Sequence, residues 1–579
     1  MLAIHHITRR LGLALIAILL GPLLATMPAA QVRASSVLVN KTADTYDSGG
    51  CAGTGTGSCS LRDAVVYANS HAGTVISVPA GLYKLTIPPS GSDGDTTGDL
   101  DLYKDMTING AGAGVTTIDG GVIADGIFAA IHASVTLNGL TLANGLRFTP
   151  SLVHGGALFV DLSTTVVVNN CAFFHNLDIG YSGSGTAGGS GMGGAIVTND
   201  TLEVNRSTFT NNSAQGGDGD VGKNGGGAYG GAIEIANSST LTAVSDSTFT
   251  GNTAIGGPGG NGDPSGSLPG PGAPGGQTGG GAIYFEGGVV VAISGSTFVS
   301  NSAVGGTGGT GALGPFSGGA GGAGGGGLGG AVLLFSSQNI PYVSNSTFVS
   351  NNTTGGRGGN GGGSGNVMGS GGVGGFTEGG AISTSVPDTS VTNVTIDGNS
   401  AVGGIGGVGG GTHGAPGSAF GGGIYSGDSA QVVNTIISNN GAGGNCSGTI
   451  TNGGHNLQFN PNTGCGNTPF IVGDPKLTPL GNYGGPTKTR GIGPGSAALD
   501  AGDDTYCGAT PVAGLDQRGI RRPQGAHCDI GAYEYAIVTT PPSSRGGPTV
   551  GGLTNPIPPP RPGVGNGNGT PGKAPTPRQ

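Results

Sequence analysis

The sequence predicts an all-β solenoid, a β-helix in which each coil of the chain stacks on the one before it. The prediction rests on a phrase repeated seven times, a composition rich in glycine, and period-two alternation of apolar residues inside each phrase. Each phrase begins with Gly-Gly-Ala or Gly-Gly-Gly and an aliphatic residue, and a bulky apolar residue and an Asn follow at near-constant spacing. The aliphatic positions are Leu158, Ile196, Ile233, Ile283, Val332, Ile382 and Ile424; the bulky ones are Phe173, Phe209, Phe249, Phe298, Phe348, Ile396 and Ile436; the Asn positions are Asn176, Asn212, Asn252, Asn301, Asn351, Asn399 and Asn439.

The composition fits a thin stacked core better than a spherical one. The 579 residues include 131 glycines and 34 prolines, apolar residues make up only 35%, and tryptophan is absent. The formal net charge is −10, and no basic patch interleaved with aromatic residues is present. These features exclude a nucleic-acid partner, which requires a positively charged surface.

Residues 1–34 are predicted to be a secretory signal peptide. Arg9 and Arg10 precede an apolar run over residues 11–24, which small residues follow. The run is shorter than the about 20 residues of a membrane span, although an uncleaved anchor is the alternative. No transmembrane segment is expected after it, so the mature protein is predicted to be secreted or to lie at the cell surface.

Residues 35–150 are predicted to form an N-terminal cap and the first coils. A helix is expected over residues 60–69, because Ser60 can act as N-cap and Asp63 stands at the capping-box position. Leu61, Ala64 and Val65 share one face of that helix. A short amphipathic helix ahead of many strands suits a lid over the first coil.

Residues 151–440 hold the repeats, with three short strands expected in each phrase. About 22 residues close one coil, and the rest is glycine-rich insertion such as residues 305–328 and 355–377. The insertions always fall between the Asn and the next Gly-Gly, so they should leave from one flank; low-complexity glycine of this kind is usually flexible. Equal positions of successive coils stack directly, so side chains of one kind should form ladders inside the wall. The predicted ladders are Phe209, Phe249, Phe298 and Phe348, and Asn212, Asn252, Asn301, Asn351 and Asn399.

Six of the seven cysteines are expected to form local disulfides at the two ends of the chain, where stacking alone cannot hold it. The candidate pairs are Cys51 with Cys59, Cys446 with Cys465, and Cys507 with Cys528. Cys171 is left over at a position that is Ser in four other phrases, which favours a small wall residue over a reactive thiol. Residues 441–535 break the phrase and are predicted to form a C-terminal cap, and residues 536–579 a disordered Pro/Gly-rich tail.

Three sets of motifs resemble known families. The Gly-Gly-Ala-Ile and Phe-x-x-Asn phrases resemble the repeat of chlamydial polymorphic outer membrane proteins, and residues 59–64 resemble the CSLREA domain. Asp474-Pro475, residues 484–487 and residues 529–534 resemble the choice-of-anchor Q domain. The resemblance implies a right-handed parallel β-helix, of pectin lyase-like fold, at the cell surface or outer membrane, and it supplies no catalytic residues.

The acids of the repeats are not expected to converge on a catalytic site, because they occupy different phases of the phrase. They are Asp161, Glu203, Glu234, Asp246, Glu286, Glu378, Asp388 and Asp397. The histidines lack metal-ligand spacing. One acidic cluster, Asp93, Asp95, Asp99 and Asp101, has the spacing of the start of a calcium loop, but Lys104 stands where the closing Glu belongs, so a solvated turn is preferred to calcium.

The sequence therefore favours an adhesin-like interaction scaffold without catalytic residues, cofactor or metal, and favours a non-enzyme over an enzyme. A monomer that contacts a surface glycan or protein is expected. The alternative is a polysaccharide-active β-helix enzyme, a lyase or hydrolase whose activity would depend on Glu234 or Glu286. A simple carbohydrate-binding module is disfavoured, because few aromatic residues are available to stack on sugar rings.

Overall fold

Equivalent residues of successive phrases pair in register, and the chain winds into the predicted right-handed parallel β-helix. The computed structural model describes residues 35–536 except 48, 52–57, 91–93, 150–154, 237–241, 267, 288–290, 315–316, 336–340, 364–367, 461–464 and 466–468. The predicted signal peptide, the predicted tail beyond residue 536 and Asp93 lie outside the described residues. Every strand pairing between successive coils is parallel, as a solenoid requires.

The first wall, sheet I, consists of two adjacent columns. Column Ia contains the aliphatic position of each phrase, and column Ib the strand that follows it. Column Ia comprises Leu100–Leu102, Phe128–Ala130, Leu158–Val160, Ile196–Thr198, Ile233–Ile235, Ile283–Phe285, Val332–Leu334 and Ile382–Thr384. Column Ib comprises Ser36–Leu38, Thr74–Val78, Met106–Gly110, Ser134–Asn138, Thr165–Asn169, Thr201–Asn205, Thr242–Ser245, Val291–Ser294, Tyr342–Ser344 and Thr389–Thr392, and the longer strands Ile424–Val433 and Cys446–Asn452 extend across both columns.

The second wall, sheet II, contains the bulky position of each phrase. Its strands are Gly81–Lys84, Thr116–Asp119, Thr141–Ala143, Ala172–Phe174, Thr208–Thr210, Thr248–Thr250, Thr297–Val299, Thr347–Val349, Thr395–Asp397, Ile436–Ser438, Leu457–Phe459 and Ile471–Val472. Columns Ia and Ib together with sheet II are the three strands that the sequence predicts for each phrase.

Two further sheets complete the coil on the flank of the insertions, and the sequence analysis missed both. Sheet III follows the Asn and comprises Leu146–Thr149, Leu177–Gly180, Ser213–Gln215, Thr253–Ile255, Ser302–Val304, Asn352–Thr354 and Ser400–Val402. Sheet IV precedes the Gly-Gly and comprises Gly191–Met192, Ala228–Tyr229, Thr278–Gly279, Gly327–Leu328, Thr377–Glu378 and Ala419–Phe420. A small separate core of Ala214, Ala228 and Ala254 lies between these two sheets.

The stacked side chains have the geometry of ladders. The rings of Phe209 and Phe249 lie 4.7 Å apart at 4°, and the Phe298 ring continues the stack 4.8 Å beyond Phe249. The Asn301 amide donates to Asn351 Oδ1 at 2.9 Å and to the Phe249 carbonyl at 3.0 Å. Buried polar groups of the turn are satisfied in this way.

The last phrase differs by one position from the sequence assignment. Ile396 pairs with Ile437 rather than Ile436, and Asn399 donates to Asn440 rather than Asn439. Two isoleucines and two asparagines follow one another there, so the spacing alone did not separate the alternatives.

The described glycine-rich insertions form a hydrogen-bonded layer. Its outgoing rows are residues 256–262, 305–312, 355–362 and 403–409, and its returning rows are 270–276, 319–325, 369–375 and 414–417. In one row, the N–H of Gly305 donates to Thr354 O and that of Gly306 to Gly276 O; the next pair, Gly308 and Gly309, repeats the pattern three residues later. This three-residue period is that of polyproline II chains packed side by side, where only glycine fits between backbones. Backbone hydrogen bonds, and not buried side chains, order these rows. Composition alone therefore favoured flexibility.

The two ends are closed by different devices. The helix Leu61–Ser70 has the expected capping box between Ser60 and Asp63, and disulfides join Cys51 to Cys59 and Cys446 to Cys465. The second helix, Asp504–Gly508, is tied by the Cys507–Cys528 disulfide. Neither helix of the described chain has the length and apolarity that crossing a bilayer requires.

The C-terminal segment does more than cover the last coil. It folds back along sheet II, where the Gln517 amide donates to the Ser296 carbonyl at 3.3 Å and to Thr297 Oγ1 at 2.9 Å. Within the segment, Arg522 is buried and pairs with Glu534 at 3.1 Å.

Candidate functional site

A concave corner forms where column Ia meets sheet IV. The first and third residues of each column Ia strand face the core, so the middle residue points outward. Glu234 is such a middle residue, and the strand register places it between Val197 and Tyr284. Although they point outward, Glu234 is only 2% and Tyr284 only 7% exposed, because sheet IV stands over them. We call this corner the cleft. The residues that pack against Glu234 or Tyr284 or act on them electrostatically are Asp178, Tyr229, Gly279, Glu286 and Leu333, and Glu378, Phe420 and Tyr425 lie further along the same two strand columns.

Glycine at position 279 allows close packing in the corner. The Tyr229 and Tyr284 rings lie 4.9 Å apart on either side of it. A Cβ added to Gly279 would lie 2.4 Å from a methyl carbon of Leu333 and 3.5 Å from each tyrosine ring. Any larger residue would therefore have to displace the Leu333 side chain, which packs over Gly279.

The cleft brings together carboxylates that the sequence keeps far apart. Burial raises the pKa of Glu234 well above its usual value, and the carboxylates of Glu286 and Asp178 raise it further. All the charged groups that shift this pKa are acidic. The Oε2 atom of Glu234 has no hydrogen-bond partner within the described chain. Burial and the neighbouring carboxyl groups thus favour the protonated form of Glu234, and its Oε2 has no partner among the described residues.

Asp178 completes the buried end of the cleft. It is 3% exposed, and burial raises its pKa well above the usual range, against the opposing effects of the Met192 N–H and of Arg147. The Met192 N–H donates to Asp178 Oδ2 at 2.7 Å, while Oδ1 has no partner among the described residues. Arg147 is itself bound to Asp99 at 3.0 Å and to Asp125, so its charge is shared among acids.

Tyrosine hydroxyls add neutral hydrogen-bonding groups to the cleft. Burial raises the pKa of both Tyr229 and Tyr284, and the neighbouring Glu234 and Glu286 act in the same direction. At the other end, Tyr425 hydrogen-bonds Glu378, whose pKa is raised by burial. These hydroxyls remain protonated and can donate to a bound polar ligand.

The remaining acids that the sequence analysis named lie elsewhere. Asp246 faces Arg206 at 3.7 Å on the surface, and Asp397 pairs with Arg490 under the C-terminal segment. Asp388 accepts from Ser429 at 3.1 Å. Of the eight acids in the repeats, the structure brings Glu234, Glu286 and Glu378 to the cleft. It adds Asp178, which the sequence analysis overlooked because sheet III was not recognised.

The acidic cluster near the N-terminus is tied to protein donors. Asp95 accepts from Asn69 at 2.9 Å, Asp101 from the Tyr103 hydroxyl at 2.7 Å, and Asp99 binds Arg147. The described residues contain no group of three or more His, Cys, Asp or Glu suited to a metal ion.

Comparison with known proteins identifies no family for this chain. No protein-family model and no curated protein sequence matches the chain, so the three motif resemblances stay expectations. Among solved structures, the chain is similar to the catalytic domain of a GH87 α-1,3-glucanase in complex with nigerose, at 13% identity and a TM-score of 0.27, over 75% of this chain and 70% of that one. It is also similar to pectate lyase Pel9A, at 12% identity and a TM-score of 0.30, over 87% of this chain and 97% of that one. A third is the A-module of mannuronan C-5 epimerase AlgE6 from Azotobacter vinelandii, at 13% identity and a TM-score of 0.20, over 72% of this chain and 94% of that one.

The preference for a non-enzyme was wrong. The three solved structures named above are of a glucanase, a pectate lyase and a mannuronan epimerase, which are enzymes of polysaccharides. The preference also assumed that the acids of the repeats do not converge. In the structure, Glu286 and Asp178 lie close enough to Glu234 to raise its pKa. Glu234 and Glu286 occupy different phases of the phrase, which predicted that they lie apart. That prediction did not take into account how the insertion folds back beside them.

Proposed function

We propose that this chain is a polysaccharide-active enzyme whose active site is the cleft, with Glu234 as general acid and Glu286 as the second carboxylate. One observation carries the proposal: Glu234 is a buried carboxyl group whose Oε2 has no partner among the described residues, and the carboxyl group of Glu286 acts on it. Cleavage of a glycosidic bond by two carboxyl groups requires one of them as an acid, and burial shifts the pKa of Glu234 in that direction.

A purely structural role accounts less well for this arrangement. Burying a carboxyl group without a cation or a full set of hydrogen bonds costs stability, so a wall position would be better filled by an apolar residue. The equivalent positions of the two neighbouring coils are Val197 and Tyr284, and that of the next coil is Leu333. A destabilising acid at one coil, next to a second acid, is typical of a functional site.

The chemistry that this geometry allows is hydrolysis. Glu234 donates its proton to the glycosidic oxygen as the bond to the anomeric carbon breaks, and the leaving sugar departs as an alcohol. Glu286 faces the same site and supplies a carboxylate to activate the attacking water or to form a glycosyl ester that water then cleaves. The tyrosine hydroxyls bind sugar hydroxyls and exclude bulk water from the acid.

Replacement of the two carboxyl groups tests the proposal. Glu234→Gln and Glu286→Gln should each lower the rate of release of reducing ends from a cleaved glycan by at least about 100-fold. Glu203→Gln is the matched control, because Glu203 lies on a wall strand of the adjoining coil. A panel of neutral glucans and mannans and of pectate and alginate should be assayed for reducing ends and, separately, for the unsaturated products of a lyase. Equal activity of Glu234→Gln and Glu203→Gln would refute the assignment.

We further propose that the protein acts outside the cell or at its surface. The apolar N-terminal run and the three disulfides both support export. Peptide mapping of the fractionated native organism tests this: recovery of the N-terminal residues from a cytoplasmic fraction would oppose it.

A further inference from the structure

The glycine-rich layer ends in an unpaired edge. In its interior, one N–H in each triplet of an outgoing row donates to the next outgoing row, as the Gly358 N–H does to the Ile405 carbonyl. Ile405 lies in the last described outgoing row, where the equivalent donors are the N–H groups of Gly403 and Gly406. Neither N–H has a hydrogen-bond partner within the described part of the chain. The two donors lie about 9 Å apart, because a polyproline II chain advances about 3.1 Å per residue.

The same edge presents unused acceptors. In the interior, a carbonyl of each returning triplet accepts from the next outgoing row, as the Gly372 carbonyl does from the Gly407 N–H. In the last returning row, the equivalent carbonyls belong to Gly414 and Gly417. Neither accepts a hydrogen bond from a described residue. Donors on one row and acceptors on the other therefore face the place where a further outgoing row would lie.

The space beside the last two rows, 403–409 and 414–417, is open to solvent, and we call it the edge groove. The glycines that carry its unused groups are partly exposed, whereas the equivalent glycines one row further in are buried. Those buried glycines are Gly355, Gly358, Gly372 and Gly375. Ile405 and Val408 point outward beside the groove and are 64% and 45% exposed.

Packing inside the layer specifies which chain the edge groove accepts. A Cβ on Gly407 would lie 1.8 Å from the carbonyl oxygen of Gly359 in the row before it. A chain laid in the groove meets the last row in the same way, so every third residue of that chain must be glycine. The N–H groups of its other two residues have no acceptor to reach. Proline is therefore tolerated at both positions, and it favours the extended conformation that the groove requires.

We infer that the edge groove binds a single polypeptide strand of Gly-X-Y sequence, with proline favoured at X and Y. The glycine N–H groups of the strand donate to the carbonyls of Gly414 and Gly417, and its X carbonyls accept from the N–H groups of Gly403 and Gly406. These bonds repeat those between interior rows, so the interface continues one that the layer already contains. A collagen triple helix does not bind, because its glycines are packed at its own axis. The edge groove is separate from the cleft, and binding there does not depend on the proposed catalytic function.

Calorimetry and hydrogen exchange on the full-length protein test this binding. The probe is a blocked peptide of four Gly-Pro-Ala triplets, short enough to stay single-stranded, and the control peptide has alanine in place of each glycine. The glycine peptide should bind at least about tenfold more tightly than the alanine peptide. It should also slow hydrogen exchange over residues 403–409 and leave exchange over residues 305–312, inside the layer, unchanged.

A pair of variants locates the bound strand. Ile405→Ala should weaken binding about threefold, because an apolar side chain beside the groove is lost. Thr307→Ala is the matched control, because Thr307 takes the equivalent place two rows further in. Equal affinities for the two peptides, or equal effects of the two variants, overturn the inference. Protection of residues 403–409 that rises with protein concentration in the absence of peptide also overturns it, because a second copy of the chain would then occupy the edge groove.

Discussion

Glu234 destabilises the folded chain whenever it ionises, because burial and two neighbouring carboxyl groups raise its pKa. Because its pKa is raised in the folded state, protonated Glu234 makes its full contribution to stability below its unfolded pKa, near pH 4. That contribution is lost as the pH rises through the pKa of Glu234 in the folded chain. We therefore expect Glu234→Gln to raise the melting temperature at pH 8 and to have a smaller effect at pH 4. Thermal unfolding followed by circular dichroism measures this, with Glu203→Gln as control. A stabilisation that is the same at both pH values would contradict the assigned burial.

Cys171 illustrates a residue whose role the sequence did predict. Its backbone N–H donates to Ser207 Oγ, and the same bond recurs from Ser207 to Ser247. Burial raises the pKa of the Cys171 thiol to about 11, so it stays protonated at pH 8. We expect the folded protein to resist iodoacetamide at pH 8 and the unfolded protein to be labelled at this cysteine. Cys171→Ser should change the free energy of unfolding by less than about 1 kcal/mol, because serine already occupies the position in the next coil. Rapid labelling of the folded form would show that the thiol is accessible.

The glycine-rich layer depends on the absence of side chains at particular positions. A Cβ at Gly407 would lie 1.8 Å from the Gly359 carbonyl oxygen, whereas a Cβ at Gly411, in the same insertion, has no neighbour within 4 Å. We expect Gly407→Ala to cost about 2–3 kcal/mol or more, because a backbone contact cannot relax easily. Gly411→Ala should be neutral or slightly stabilising. Urea unfolding of both variants measures the difference, and equal midpoints would mean that the rows are not packed as described.

The elements that sequence reasoning found and missed differ in what stabilises them. Buried apolar side chains hold columns Ia and Ib and sheet II together. The alternation of these apolar residues is visible in the sequence around Ile283 and Phe298. Sheets III and IV and the glycine rows are held by backbone hydrogen bonds between chains, such as that from Gly306 to Gly276, which leave no side-chain pattern. The cleft could not be predicted for the same reason, since its second wall is sheet IV. Glu234 and Glu286 were identifiable as acids of the repeat, but their convergence required knowledge of how the insertion folds back.

At the scale of the whole molecule, the C-terminal segment links coils that are distant in sequence. Gln517 is buried, donates to Ser296 O and Thr297 Oγ1, and accepts from Thr347 Oγ1 at 2.6 Å. It also donates to the Lys488 carbonyl at 3.1 Å, so one side chain joins the segment both to itself and to two coils. Coils that contact only their neighbours can unfold a few at a time. Hydrogen bonds from Gln517 to two different coils oppose such local unfolding.

Gln517→Ala should weaken the attachment of the C-terminal segment to these two coils. Loss of the Gln517 side chain removes one hydrogen bond from the Thr347 hydroxyl and one from the Ser296 carbonyl. The hydroxyl keeps Thr489 Oγ1 as a partner and the carbonyl keeps the Thr347 N–H, so we expect a cost of about 0.5–1.5 kcal/mol for each bond. We expect faster hydrogen exchange of the amides over residues 487–489 and 295–297, with exchange in the glycine rows unchanged. Gln524→Ala is the matched control, because the Gln524 side chain is exposed and donates only to the Arg521 carbonyl. Uniformly faster exchange throughout the solenoid would mean that the Gln517 hydrogen bonds stabilise the entire stack. Unchanged exchange at residues 487–489 would mean that the Cys507–Cys528 disulfide and the Arg522–Glu534 pair hold the segment without Gln517.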